Sequence, residues 1–251
     1  MAAPTGARRG KDAHPNLPIT TQEIASETMA CRSSGAHALH LHVRDEDGRH
    51  SLDPGLYREA LQEIERAVPG FPVQVTTESA SRFDVETQLN CLRDVSAQAA
   101  SISVREMARD PELAPRVYAL CADRGIHVQH ILYTLEDWHK LQVWRASGIV
   151  HQNQTDVIVV LGQYAPARYT KVQDLDAVAR IIDGAPGRCM VCAFGPNEHR
   201  VLLAAAARGC DLRIGFENNI HAEDGTLASS NAAQVAHLVS ALASVSLEGG
   251  H

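Results

Sequence analysis

Two histidines one residue apart, in the run "HALHLHVRDEDGRH" (residues 37–50), are the first side chains in the sequence able to do chemistry together. On a strand, residues i and i+2 project from the same face, so His40 and His42 point together while Leu41 points away. Two neutral imidazoles converging at a strand's end can bind one divalent metal ion. The alternative is a pair of hydrogen-bonded core histidines. A catalytic metal site needs a third protein ligand and an open position. The run "DLRIGFENN" (211–219) offers Glu217, which shares a strand face with Arg213 and Gly215. A site of two histidines and a glutamate with one open position is a Lewis acid that polarises a carbonyl oxygen.

These residues need a scaffold that brings residue 40 next to residue 217. One pattern runs from end to end: a short β-branched or apolar run, then an amphipathic stretch of helical period. The runs are "HALHLHV", "FPVQVTT", "AASISV", "IHVQHIL", "DVIVVL", "RCMVCAF" and "DLRIG", with a truncated one, "MAAP", at the start. Strands alternating with helices pair in parallel through βαβ crossovers. Seven clear strands plus one short one predict an α/β fold, a (β/α)8 TIM barrel, as a single domain over residues 1–251. An open doubly wound sheet would carry a G-x-G-x-x-G turn after its first strand, and none is present. In the closed barrel, strand eight and the histidine-bearing strand two are separated only by strand one, the short N-terminal strand. Glu217 therefore lies across that strand from the histidine pair, at the C-terminal mouth, and Gly6 leaves room above it.

Composition sets the outer limits. The chain has 251 residues, 45% of them hydrophobic, enough for one large core. The net charge of -7 comes from intermixed acids and bases with no basic stripe, so a nucleic-acid partner is not expected. No apolar run reaches membrane-span length, and "MAAPTGARRGKDAHPNLP" lacks the apolar centre of a signal peptide, which predicts a cytoplasmic protein with no membrane partner. Six scattered cysteines read as buried thiols in a reducing compartment. Cys189 and Cys192 form C-x-x-C, but three residues apart on a strand they face opposite sides. His14 and His50 fall in loops and read as solvated. His127 and His130, three apart on one strand, face opposite ways; His130 is read as lying outside the site, with an approach to the mouth as the lesser alternative. Trp138 and Trp144 read as helix residues packing on the barrel.

Several separated blocks, in order, resemble the β-keto acid cleavage enzyme family, whose founding activity is 3-keto-5-aminohexanoate cleavage. They are "APTGARRGKDAHPNLPITTQEIA", "GAHALHLHVRDEDGRHSLD", "VQVTTES", "VIVVLGQY" and "AAARGCDLRIGFENNI…DGTLASSNAAQV". The resemblance implies a zinc ion on His40, His42 and Glu217, and acetyl-CoA as co-substrate. The implied reaction is a Claisen and retro-Claisen pair: a β-keto acid and acetyl-CoA become acetoacetate and a new CoA ester. It further implies a homotetramer. Arg213 matches the family's active-site arginine, whose permanent positive charge suits a developing enolate. Thr76 and Ser103 match substrate-contacting hydroxyls, with Ser101 on the same face as Ser103.

Two positions depart from the family pattern. Where the family has an aspartate after the metal-binding glutamate, this chain has Asn218, which hydrogen-bonds but cannot take a proton as a carboxylate does. Glu78, placed with the substrate-binding residues, and Asp45 are the acids that could replace it. Where the founding member has a glutamate facing the substrate's amine, this chain has Arg8, which suits a neutral or anionic tail. Arg168 and Lys171 are the candidates for the CoA phosphates. Two other functions compete. A metal-dependent hydrolase also starts from H-x-H, but needs histidines on strands five and six and an aspartate on strand eight. A catalytically impaired barrel that binds zinc and a keto acid would follow if Asn218 stops turnover.

Overall fold

The computed structural model describes residues 1–164 and 166–248. Seven parallel strands form one curved sheet: β1 (Leu39–Leu41), β4 (Val73–Thr76), β5 (Ala99–Ser103), β6 (His127–Leu132), β7 (Asp156–Leu161), β8 (Cys189–Ala193) and β9 (Asp211–Leu212). A separate antiparallel pair, β2 (Val43–Arg44) and β3 (His50–Ser51), forms a hairpin just above β1. Helices α1 (Thr21–Ser33), α2 (Pro54–Ala67), α3 (Val85–Asp94), α4 (Val104–Met107) and α5 (Ala114–Asp123) serve the first half. Helices α6 (Leu135–Ala146), α7 (Asp174–Ala177), α8 (Ala179–Gly184), α9 (Glu198–Ala206) and α10 (Asn231–Glu248) serve the second.

The eighth place in the barrel is held by the N-terminal residues. Ala2 makes parallel bridges to both Leu39 and Ile214. Its N–H donates to the Ala38 carbonyl at 2.8 Å and its carbonyl accepts from His40 N–H at 2.8 Å. On the other side Ile214 N–H donates to Met1 and Ala3 N–H donates to Ile214. The fold is thus a (β/α)8 barrel whose first strand is reduced to a few residues.

Local chemistry explains the helices. Thr20 and Glu23 form the reciprocal capping box that opens α1. Along α2, Tyr57, Ala60 and Ile64 recur at three- and four-residue spacing and are buried against the sheet. The main core lies between sheet and helices, with Leu39, Leu41, Val75, Ile102, Val128, Val157 and Val191 pointing outward into it. Each such side chain stabilises the fold by about 1.5–3 kcal/mol on burial. A smaller cluster of Ile131, Ile158, Val160, Met190, Cys192 and Phe194 comes from the opposite strand faces and fills the barrel. Cys192 lies inside while Cys189 packs on the outer core, as the C-x-x-C spacing on a strand requires.

Two elements differ from expectation. The stretch "KVQDLDAVARII" is two short helices, α7 and α8, parted at Val178 (φ -112°, ψ 10°). Strand nine stops at Leu212, so Arg213, Gly215 and Glu217 do not continue one strand face. Gly215 adopts φ +147°, and a Cβ there would stand 2.5 Å from the Ala3 carbonyl oxygen. The chain turns at that point and Glu217 projects from the turn.

Candidate functional site

Backbone pairing brings the three separated residues together. His40 sits in β1 and His42 just after it, both buried, with ring centroids 5.0 Å apart. Glu217 N–H donates to the Ala3 carbonyl at 3.1 Å, so the N-terminal segment that closes the barrel also carries the carboxylate into place. Glu217 Oε2 lies 3.6 Å from His40 Nε2 and 3.5 Å from His42 Nε2. One ligand atom from each of these residues falls within 4.8 Å of the others. Gly6 (φ +62°) passes directly over this group. A Cβ on it would meet Glu217 Cγ at 2.8 Å, so the room it leaves is filled by the glutamate itself.

The hydrogen bonds around the imidazoles fix which nitrogen is bare. His50 Nε2 lies 2.7 Å from the Glu78 carbonyl, which can only accept, so Nε2 carries the proton. His50 Nδ1 is then an acceptor, and His42 Nδ1 donates to it at 3.4 Å. His42 Nε2 is left with a free lone pair. On the other imidazole, His40 Nδ1 donates to Gln74 Oε1 at 2.8 Å. Gln74 Nε2 in turn donates to Gln129 Oε1 at 3.1 Å, and Gln129 Nε2 reaches Met190 Sδ at 3.8 Å. His40 Nε2 is therefore bare as well. Burial, outweighing attraction from Glu217, pushes His40 down to about 3, so it is neutral at pH 7, as a ligand must be. Burial likewise pushes His50 down to about 3.

Two polar atoms of this group have no protein partner: His42 Nε2 and Glu217 Oε2 are buried without a hydrogen bond. Unsatisfied buried polar atoms are costly, and two lone-pair donors facing each other are worse. A divalent cation between them satisfies both, so the residues present fit a bound metal. Burial opposes ionisation of Glu217, but the Arg213 guanidinium, a permanent charge, favours the carboxylate and holds the carboxyl below its usual range. Arg213 Nη2 takes Glu217 Oε1 at 3.0 Å, leaving Oε2 for the cation. The same nitrogen reaches Cys192 Sγ at 3.2 Å and Asn218 Oδ1 at 3.5 Å. Burial works against the Arg213 charge, yet Cys192 and Glu217 raise it above its ordinary value, so Arg213 stays a cation.

The remaining predicted residues line the same mouth. Glu78 Oε2 lies 3.9 Å from His42 Nε2, and Glu78 Oε1 lies 3.9 Å from Arg8 Nη2. Burial raises the Glu78 carboxyl, against the pull of His42. Asp45 is occupied elsewhere: its Oδ1 accepts from Asp47 and Arg49 N–H in the hairpin turn. Thr76 Oγ1 accepts from Glu78 N–H at 3.1 Å and from Ser101 Oγ at 3.3 Å. Ser103 Oγ is buried with no partner, whereas Ser101 is engaged. Asn218 Nδ2 and Arg213 Nε are also buried without partners. Arg168 and Lys171 stand exposed on the loop after β7.

Several readings are corrected. His50 and His14 are buried, not solvated. His14 Nε2 donates to the Ala228 carbonyl at 2.7 Å and its ring stacks near Phe216, tying the N-terminal loop to the C-terminal one. His130 agrees with its favoured reading outside the site: it faces the helices beside Tyr118, with Nε2 on the Gln154 carbonyl at 3.0 Å. Arg44 was not singled out, yet its guanidinium holds the carbonyls of Thr5, Gly6, Arg9 and Gly48. It moors the loop carrying Gly6 over Glu217. Arg9 and Tyr164 complete the cover: Arg9 Nη1 donates to the Phe216 and Glu217 carbonyls, and the Tyr164 hydroxyl donates to the Glu217 carbonyl.

Comparison with known proteins meets this geometry from another direction. The model of the beta-keto acid cleavage enzyme family matches residues 1–248. This chain belongs to the β-keto acid cleavage enzyme family. Among curated members, the 3,5-dioxohexanoate:acetyl-CoA acetone transferase of Paraburkholderia graminis is 25% identical, over 98% of this chain and 90% of that one. The 3-keto-5-aminohexanoate cleavage enzyme of Acetoanaerobium sticklandii is 23% identical, over 95% of this chain and 89% of its own. The apo structure of ObcA shares the fold, with a TM-score of 0.69 at 15% identity. It matches 92% of this chain, which spans only 63% of the ObcA chain.

Proposed function

We propose that this family member exchanges acyl groups between a β-keto acid and acetyl-CoA, giving acetoacetate and a new CoA ester. The observation that carries the reading is the convergence of three bare ligand atoms, His40 Nε2, His42 Nε2 and Glu217 Oε2, beside the buried Arg213 cation. Two imidazoles and one carboxylate suit zinc with an open fourth position. When bound there, zinc supplies a fixed positive charge that stabilises negative charge on a keto oxygen.

The chain's own residues supply the rest. Glu78, whose carboxyl is raised by burial, is the proton acceptor for the carbon between the two carbonyls. It takes the part that Asn218 cannot. Arg213 stays charged throughout and faces the enolate. Ser103 offers a free hydroxyl to a substrate oxygen, while Thr76 holds the backbone of Glu78. The enolate carbon bonds the acetyl carbon and CoA leaves as thiolate. The thiolate then adds to the keto carbon, the carbon–carbon bond breaks, and the proton held on Glu78 returns to the released acetoacetate carbon. Asn218 orients Arg213 through Oδ1. Arg8, partly exposed at the mouth, favours a keto acid with a neutral or anionic tail over an ammonium. The hydrolase reading lacks its ligands: β7 carries no histidine and His130 of β6 turns to the helices. The homotetramer is carried into this reading from the family resemblance, and molar mass in solution checks it.

The test is a panel of β-keto acids with neutral, anionic and ammonium tails, incubated with zinc-loaded protein and acetyl-CoA. Acetoacetate and a matching CoA ester are expected, fastest for neutral or anionic tails. Keto-acid binding without acetoacetate from any tail would leave a binding barrel; cleavage without CoA would make it a hydrolase.

A further inference from the structure

At the barrel end opposite the His40–His42–Glu217 group, two cysteines from different strands stand side by side. The β8–β9 register pairs Met190 with Asp211 and Val191 with Leu212. One step toward the N-terminal end of the strands, Cys189 therefore falls opposite Cys210. Neighbouring strands run about 4.7–4.9 Å apart, inside the roughly 4.4–6.8 Å Cα window of a disulfide. Residues in register project from the same face, and both side chains do pack on the outer core. The two thiols are within hydrogen-bonding reach of each other. The residues that flank them lock the strands together. Arg188, just before Cys189, holds Asp211, just after Cys210, by two bonds of 2.6 Å.

The pair is also reachable. Cys189 is half-buried, and both cysteines line a cavity of about 200 Å³ with Gly187, Arg188, Arg208 and Gly209. The other four cysteines are different. Burial pushes Cys31, Cys91 and Cys121 up to about 12 and Cys192 to about 11, which leaves them inert thiols. Within the pair the two thiols part: Cys189 is held up beside Cys210, and Cys210 is lowered beside Cys189, so the thiolate falls on Cys210.

We propose that Cys189 and Cys210 form a reversible dithiol–disulfide site that reacts with low-molecular-weight disulfides. The Cys210 thiolate attacks one sulfur of the small disulfide, its S–S bond breaks, and one small thiolate leaves. Cys189 gives its proton to that thiolate and attacks Cys210 Sγ, expelling the second. Two protein thiols are oxidised and one small disulfide is reduced to two thiols.

The full-length protein is incubated with oxidised glutathione, alkylated, digested with trypsin and mapped by mass spectrometry. The expected product is a Cys189–Cys210 cross-linked peptide pair, lighter by two hydrogens and released by dithiothreitol. Fragment spectra separate Cys189 from Cys192, which shares its tryptic peptide. In Cys189→Ser, Cys210 keeps one glutathione as a mixed disulfide. Recovery of Cys189 and Cys210 as separate alkylated peptides, or a bridge to any other cysteine, overturns the proposal on the unmodified sequence alone.

Discussion

The two ends of the barrel treat charge in opposite ways. At the C-terminal mouth, His42 Nε2, Glu217 Oε2, Arg213 Nε, Asn218 Nδ2 and Ser103 Oγ are all buried and unpaired. At the N-terminal end, polar groups are paired off: Arg188 with Asp211 at 2.6 Å and His127 with Asp156 at 3.0 Å. A cavity of about 490 Å³ opens there, floored by Gln74, Gln129 and Met190 and walled by Val235, Leu238 and Val239 of α10. The amides on its floor are already engaged, Gln74 with His40 and Gln129, and Gln129 with Met190. Unpaired polar atoms are a cost that folding alone does not explain, and five of them gather where a ligand would satisfy them. Others lie outside that group, the neighbouring His130 Nδ1 and Tyr118 OH on the helix side among them.

The strongest way to break the contrast is to remove a ligand from the mouth. His40→Ala and Glu217→Ala should each abolish tight metal binding, taking content from close to one ion per chain to near zero by elemental analysis. Metal retained in both would show that the orphaned atoms serve something else. Glu78→Gln should keep the metal and lower turnover by about 10²–10⁴-fold, the usual range for a lost general base. A smaller loss would send the proton to another group.

The helix-side pair is sharpened by pH. Burial pushes His130 down to about 4, against an unfolded value near 6.5. Between those values the unfolded chain holds the proton and the folded one does not. Stability from this residue is therefore complete above about pH 6.5 and lost as pH falls through 4, by about 3 kcal/mol in all. Urea midpoints of the natural protein and His130→Gln should converge on acidification; parallel pH curves would remove His130 from the account. A subtler change at the mouth is His50→Ala, which removes the acceptor of the His42 Nδ1–H. Zinc affinity should fall about 10–100-fold in chelator competition. At the far end, Arg188→Ala breaks an exposed pair and should cost about 1 kcal/mol or less. A larger shift in urea midpoint would mean that the N-terminal end is also under strain.

Most of the scaffold was readable because α/β barrels announce themselves by alternation. Six of the seven sequence runs contain strands within a residue or two of their predicted ends. The seventh misled because Arg213, Gly215 and Glu217 alternate like a strand, and only the φ of Gly215 reveals a turn. The His40–His42–Glu217 group was legible from spacing at the histidines, and at Glu217 from its place at the end of the eighth run and from the family blocks. His50 was missed although its signal is present. Asp47-Gly48 is a tight-turn pair, and a hairpin about it places His50 opposite Arg44, diagonal to His42 on one face. Arg44 was not legible at all, since its partners are carbonyls of a loop without pattern. No helix among the described residues is long and apolar enough to cross a membrane.

The bridge made by Ala2 has a kinetic side. It joins the two ends of the chain: the Met1 amino group reaches the Leu212 carbonyl across 211 positions, and Glu217 waits on Ala3. Contacts so distant along the polymer are the last whose loop-closure entropy is recovered. A folding intermediate with seven strands zipped would therefore hold both imidazoles but not the carboxylate, and would grip a metal ion weakly. Acquisition of tight metal affinity would report the moment at which the cylinder shuts.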